Sequence, residues 1–191
     1  MSFDLALIEQ QAAARDLLLR LQLGGAGPLQ TLRVVVARRS SDQSLALLGE
    51  LKGWATPQRQ GLRLDTMRVQ GRDTQDVGLL IWAATFAWAL EATPCRSAWL
   101  LAIRDDPRQH RRLVRYFERL GFQPQRELGA APWDLPRRLI WGGSGLLMRG
   151  DCAEGLSRCE RRLQLRSRWT PRRPASAAGS TRAPRGQTRR R

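Results

Sequence analysis

The sequence predicts an α/β domain whose mixed central sheet lies between helices: an antiparallel meander first, then one parallel strand pair. Three observations predict it. Strand-like runs between Thr31 and Val69 are separated by short polar turns, the pattern of a meander. The run Val77 to Leu90, VGLLIWAATFAWAL, is shorter than the roughly 20 residues a membrane crossing needs and reads as a buried helix. That helix sits between two strand-like runs, so a right-handed crossover should place them in parallel.

The elements follow in order. Residues Phe3 to Leu23 carry Leu5, Ile8, Ala12, Leu17, Leu18 and Leu21 among polar residues, an amphipathic helix that GGAGP (Gly24 to Pro28) stops. Thr31 to Arg38, with three consecutive valines, is the first strand. Leu45 to Ala55 is read as strand because Gly49 and Gly53 penalise a helix. Leu62 to Val69 is the third strand, Val77 to Ala92 the buried helix and Ser97 to Ile103 a buried strand. In the next helix Asp106 is the N-cap, Pro107 the first helical residue, and Gln109 completes a capping box. Gly121 closes that helix in a left-handed turn and Phe122 opens a strand weakened by Pro124. APWDLP (Ala131 to Pro136) is read as a rigid loop. A last strand runs from Arg138 to Met148, with Gly142, Gly143 and Gly145 marking either an edge bulge or a ligand's close approach. Trp141 beside them is a candidate wall of an acceptor pocket. The main domain thus covers residues 1–150, a short basic helix 151–165, and residues 166–191 a disordered arginine-rich tail.

Composition bounds the function. The formal net charge is +16, yet the only lysine is Lys52, and Arg166 to Arg191 holds nine arginines and no acid. Over half of the excess therefore sits in the tail, where attraction to RNA, the ribosome or an acidic protein would be salt-dependent and unspecific. No aromatic stripe alternates with basic residues along the chain, which argues against stacked single strands. Cys95, Cys152 and Cys159 are odd in number and lack a Cys-x-x-Cys pair. With His110 the only histidine, they argue against structural zinc and fit a reducing cytoplasm. Asp4 and Glu9 interrupt the first turns where a secretory signal would need a basic and then an apolar stretch.

Tyr116 to Phe122, YFERLGF, ends a helix and enters a strand. In that slot it resembles the LYERLGF segment of the GNAT superfamily of N-acetyltransferases, and the likeness covers about Leu32 to Met148. It implies acetyl-CoA in a cleft between two splayed parallel strands, Leu62–Val69 and Ser97–Ile103. The pyrophosphate would rest where the long helix begins, and unpaired N–H groups and a positive dipole end favour an anion there in any case. The superfamily's phosphate loop is similar to VQGRDTQDVGLL: Gln75 and Gly78 match a Gln-x-x-Gly pair. Leu80 replaces a small residue, and the spacer from Val69 is one residue longer. Cofactor-binding candidates are Met67, Val69, Arg72, Gln75, Val77 and Gly78, with His110 at the position of an asparagine. The same RDTQDVG also describes an ordinary helix start, with Asp73 or Thr74 as cap.

Aligned on Gly121-Phe122, Phe117 falls on the tyrosine whose hydroxyl protonates the leaving thiolate, and a phenylalanine has no proton to give. Catalytic candidates are Tyr116, one residue and about 100° away on the helix, and Asp65, a strand carboxylate bordering the implied cleft. The alternatives are a packing role for Tyr116, a pairing of Asp65 with Arg63, and a capping or surface role for His110. Two functions follow: transfer of an acetyl group from acetyl-CoA to an amine acceptor, or a catalytically reduced protein of this fold that binds a ligand or partner.

Overall fold

The computed structural model describes residues 4–40, 44–71, 74, 76–129 and 131–169. Helix α1 (Leu5–Ala13) starts at Asp4, whose side chain accepts a hydrogen bond from the Leu7 N–H. The expected helix to Leu23 ends far earlier. Asp16 adopts a left-handed φ of 57°, and from Leu17 the leucines alternate with period two, so β1 (Leu17–Ala26) buries Leu17 and Leu19. GGAGP therefore does not stop a helix but turns a hairpin, with Ala26 paired to Leu29 at the start of β2 (Leu29–Arg39). At Gly25, with φ 130°, a Cβ would lie 2.1 Å from the Leu29 carbonyl oxygen, so only glycine fits.

β3 (Leu45–Ala55) and β4 (Leu62–Val69) complete an antiparallel meander of four strands. The strand reading of Leu45–Ala55 holds, and its glycines have a packing reason. A Cβ on Gly49 would come within 2.7 Å of Val77 and Ile81, so the bare backbone lets the long helix sit low on the sheet. That helix, α2 (Val77–Ala92), is buried on every side from Leu79 to Ala89. Sheet, α1 and a C-terminal helix enclose it; burying Trp82, Phe86 and Trp88 stabilises the fold by about 2–3 kcal/mol each.

β5 (Ser97–Ile103), α3 (Pro107–Leu120) and β6 (Phe122–Leu128) lie close to their expected spans. Asp106 caps α3 by accepting from the N–H groups of Arg108 and Gln109, and Gly121 ends it at φ 101°. β6 is an edge strand whose bulge falls between Pro124 and Arg126, where the missing N–H is tolerated. The expected rigid loop is a 3-10 turn (Pro132–Asp134) running into α4 (Leu135–Trp141), so Arg138–Trp141 is helix rather than the start of a strand. Gly142, at φ 73°, is its left-handed cap, and the last strand, β7, spans Gly145–Asp151. Helix α5 (Cys152–Trp169) outlasts the short helix expected. The tail reading beyond it, residues 170–191, lies outside the described residues.

The seven strands are ordered β1-β2-β3-β4-β5-β7-β6, and β4–β5 is the one parallel pair in this sheet. The mixed sheet flanked by helices, with a single parallel pair, is the predicted fold class. No helix among the described residues is long and apolar enough to cross a membrane.

Helix α5 packs on α2 through Gly155, where a Cβ would stand 2.5 Å from the Phe86 ring. Gly155→Ala should therefore lower the unfolding free energy by about 1–3 kcal/mol through overpacking. Gly143→Ala, with open space around that position, should stay within about 0.5 kcal/mol. Urea unfolding of the two variants checks the contrast.

Candidate functional site

The site begins with a parting of strands. β4 and β5 pair only from Leu62–Leu64 to Ala98–Leu100. On the other side of β4, Thr66 pairs with Lys52 and Leu64 with Gly53, which leaves Asp65 without a partner in β3. This bulge at Asp65 bends β4 just where it leaves β5. A cavity of about 930 Å³ occupies the resulting wedge. β4 contributes Asp65, Thr66, Met67 and Val69, α2 contributes Gly78 and Trp82, and α3 contributes Tyr116 and Phe117. Arg119, Arg162 and Arg166 also line it. Trp141, proposed above as an acceptor wall, instead packs into a second small core with Leu128 and Leu147.

Gly78 keeps the wedge open at α2: a Cβ there would lie 3.2 Å from the Tyr116 hydroxyl and 3.6 Å from the Met67 methyl. The Tyr116 hydroxyl accepts a 2.8 Å hydrogen bond from Trp82 Nε1, and its own proton goes to no described residue. Burial pushes its pKa up to about 12, against the opposing pull of the Trp82 donor. Phe117 also lines the cavity. Its ring meets Trp82 and Phe122 edge-on in a buried aromatic cluster. One turn of α3 thus presents an apolar ring and, one residue earlier, a hydroxyl to the same space.

Asp65 is exposed and lines the cavity, and it does not pair with Arg63. The Arg63 guanidinium lies 6.0, 5.6 and 5.3 Å from the ring centroids of Trp54, Trp99 and Trp141. His110 does not line the cavity; its Nδ1 sits 3.1 Å from the Ile103 carbonyl oxygen, tying the start of α3 to the end of β5. Met67 and Val69 are at the wall, whereas the Val77 side chain is buried in the core. Arg72, Asp73 and Gln75 lie outside the described residues; of the Gln75–Gly78 pair only Gly78 is described, and it lines the cavity, as does Thr74.

Asp76 precedes α2 without capping it. Its carboxylate is instead held by Arg15 at 3.1 Å and Arg166 at 2.8 Å. The sequence pointed to neither Arg15 nor Arg119 nor Arg162 at the site, nor to Trp82 as the partner of the hydroxyl, and it put Arg166 in the tail, whereas Arg166 lies in α5. The one available signal was the i, i+4 spacing of Arg162 and Arg166, which says that they share a face but not what that face covers. Among the described residues no group of three His, Cys, Asp or Glu side chains is placed to hold a metal ion.

No protein-family model and no curated protein matches the chain. Solved structures with which it aligns include N-acetyltransferases. A spermidine N-acetyltransferase SpeG chimera from Vibrio cholerae and hSSAT is 12% identical with a TM-score of 0.45, over 66% of this chain and 70% of that one. Another chimera of the same pair is 11% identical with a TM-score of 0.43, over 82% and 95%. An aminoglycoside 6'-acetyltransferase type Ii is 17% identical with a TM-score of 0.39, over 63% and 69%.

The raised phenol pKa has a sign that can be measured. A tyrosine ordinarily ionises near 10, and the folded chain holds this one neutral to about 12. Its stabilising effect is complete below pH 10 and is lost as the pH rises from there through 12, because the unfolded chain releases the proton first. Cys152 and Cys159, both buried and also raised to about 12 from 9, act in the same direction. Tyr116 is the only tyrosine, so tyrosinate absorbance reports it alone. We expect a midpoint near 12 in the folded chain and near 10 in urea; a folded-state midpoint near 10 would mean that the hydroxyl is in water.

Proposed function

We propose that this protein is an N-acyltransferase that moves an acetyl group from acetyl-CoA to an amine of a small molecule or a protein. The observation that carries this reading is the wedge between β4 and β5, about 930 Å³ in volume, with one buried hydroxyl and one carboxylate in its wall. The superfamily resemblance of YFERLGF agrees with it.

The walls fit such a donor. Gly78 and the apolar side chains of Met67 and Val69 leave room for a thin pantetheine-like chain. Arg119, Arg162 and Arg166 supply positive charge for phosphates, and Arg166 also holds Asp76. The thioester brings an acyl group already activated for transfer, with a thiolate of pKa near 8–9 as leaving group. Tyr116, at about 12, is roughly three units the weaker acid, so giving up its proton outright would cost about 4 kcal/mol. Its role is to donate a hydrogen bond to the sulfur as negative charge develops there. Asp65, at the cavity edge, receives the proton that the acceptor amine must lose, directly or through water. Positioning in the wedge supplies the rest.

Calorimetric titration with acetyl-CoA tests the reading. Micromolar binding that Gly78→Trp abolishes is expected. Tyr116→Phe should lower kcat about 10- to 100-fold with little change in KM for the donor, because the hydrogen bond strengthens only as the thiolate forms. Absence of binding at millimolar donor would leave the second reading, a protein of this fold that binds a ligand or partner. The ion pairs of Asp76 at the start of α2, where a pyrophosphate would rest, favour that outcome. A role for the arginine-rich tail in holding RNA, the ribosome or an acidic partner belongs to either reading.

A further inference from the structure

The face of the sheet turned away from α2 carries a row that crosses the strands. Trp54 of β3 pairs with Arg63 of β4, Arg63 with Trp99 of β5, and Trp99 with Arg149 of β7. Indole and guanidinium alternate across four strands, with Arg149 lying 5.9 Å from the Trp99 centroid. Arg63 sits half-buried at the middle of the row. No described carboxylate or carbonyl accepts a hydrogen bond from it, and burial lowers its pKa. The indole faces offset the cost of desolvating the cation. They leave the N–H groups at its edge without an acceptor among the described residues, although a guanidinium carries five such donors in a fork that matches a carboxylate.

Two residues further along β4 stands Asp65, exposed and likewise without a described partner. The two opposite charges lie on one strand, about 6.7 Å apart along the backbone, yet they do not meet. The bulge sets Asp65 at the wedge while the indoles hold Arg63 back. Asp65 also forms part of the wall of a depression of about 370 Å³ on the sheet, beside Trp54, as well as of the large cavity. It therefore borders both the donor's space and the open face. The cations that line that depression, Arg33 and Lys52, already share Glu50; Arg63 stands behind its Trp54 wall, 6.0 Å from that ring, with no described partner for its donors.

We propose that Arg63 and Asp65 form a two-point site for an amine that also carries a carboxylate. Arg63 takes the carboxylate, and Asp65 holds the amine at the mouth of the wedge. Resting on the acyltransferase reading, this names the acceptor class: an amino acid or a similar short zwitterion, reaching the thioester from the open face of the sheet. An arginine that merely staples the tryptophans would stabilise the sheet without distinguishing one amine from another.

The test is calorimetry on the full chain, without acyl donor, using γ-aminobutyrate, butylamine and butyrate as probes. γ-Aminobutyrate should bind at least about tenfold tighter than either one-armed compound, the worth of one charge-assisted fork. Arg63→Gln should reduce it to the level of butylamine and Asp65→Asn to that of butyrate. Arg20→Gln, an exposed arginine of β1, should change nothing. Equal binding of the three probes, or a preference that survives Arg63→Gln, overturns the inference. If Arg63→Gln melts below the assay temperature, Arg63→Lys keeps a cation among the indoles but loses the fork, and an unchanged preference in it is equally fatal. The two readings fail separately: a zwitterion preference without acetyl-CoA binding overturns acyl transfer, and acetyl-CoA binding without that preference overturns the two-point site.

Discussion

One unpaired residue governs the layout of this protein. Because Asp65 has no partner in β3, β4 bends after Leu64 and loses its hydrogen bonds to β5 beyond Leu100. Two neighbouring strands that stayed paired along their length would leave no room between them. The bulge is thus the origin of the cavity, and it places a carboxylate at the point of parting. The meander on one side and β7 and β6 on the other stay paired along their length apart from single-residue bulges, so the opening is confined to one seam of the sheet.

The seam stays open because its walls are stiff. Trp82 donates to the Tyr116 hydroxyl and packs against Phe86, Phe117 and Phe122. One indole thereby fixes a polar group at the cavity and belongs to the aromatic core at the same time. A buried hydroxyl with an unused proton is costly in an apolar wall; the indole N–H satisfies its oxygen and leaves the proton facing the space. A phenylalanine at position 117 therefore serves the core. Phe117 fills the cluster while its neighbour brings the hydroxyl.

Much of this was legible from the sequence, for reasons that can be named. The helices α2 and α3 declared themselves by an unbroken apolar run and by a complete set of caps, all local signals. Leu17–Leu23 did not, because LLLRLQL fits a helical stripe as well as a period of two. Sheet pairing with Val34 and Val36, distant in sequence, decided it. RRLIW before Gly142 looked like a strand because apolar residues near glycines suit either state, and a left-handed cap only shows in coordinates. At the candidate site, Gly78, Met67, Val69 and Asp65 could be placed from strand and helix positions. Arg15, just after α1, and the arginines of α3 and α5 could not, since nothing local ties residue 15 or 166 to residue 76. The alternation of tryptophan and arginine was absent along the chain and present across it, because register, not spacing, creates it.

Helix α5 carries a consequence for how the molecule comes to be. α2 is apolar all round, and α5 supplies the last of its cover through Gly155 against Phe86, then lines the cavity with Arg162, Leu165 and Arg166. Chain emerging from the ribosome can build the whole sheet, through Asp151, while α2 still shows a greasy flank to water. Docking of α5 hides that flank and gives the pocket its third side. Competence to hold a ligand and protection from aggregation should therefore arrive together, in one late step.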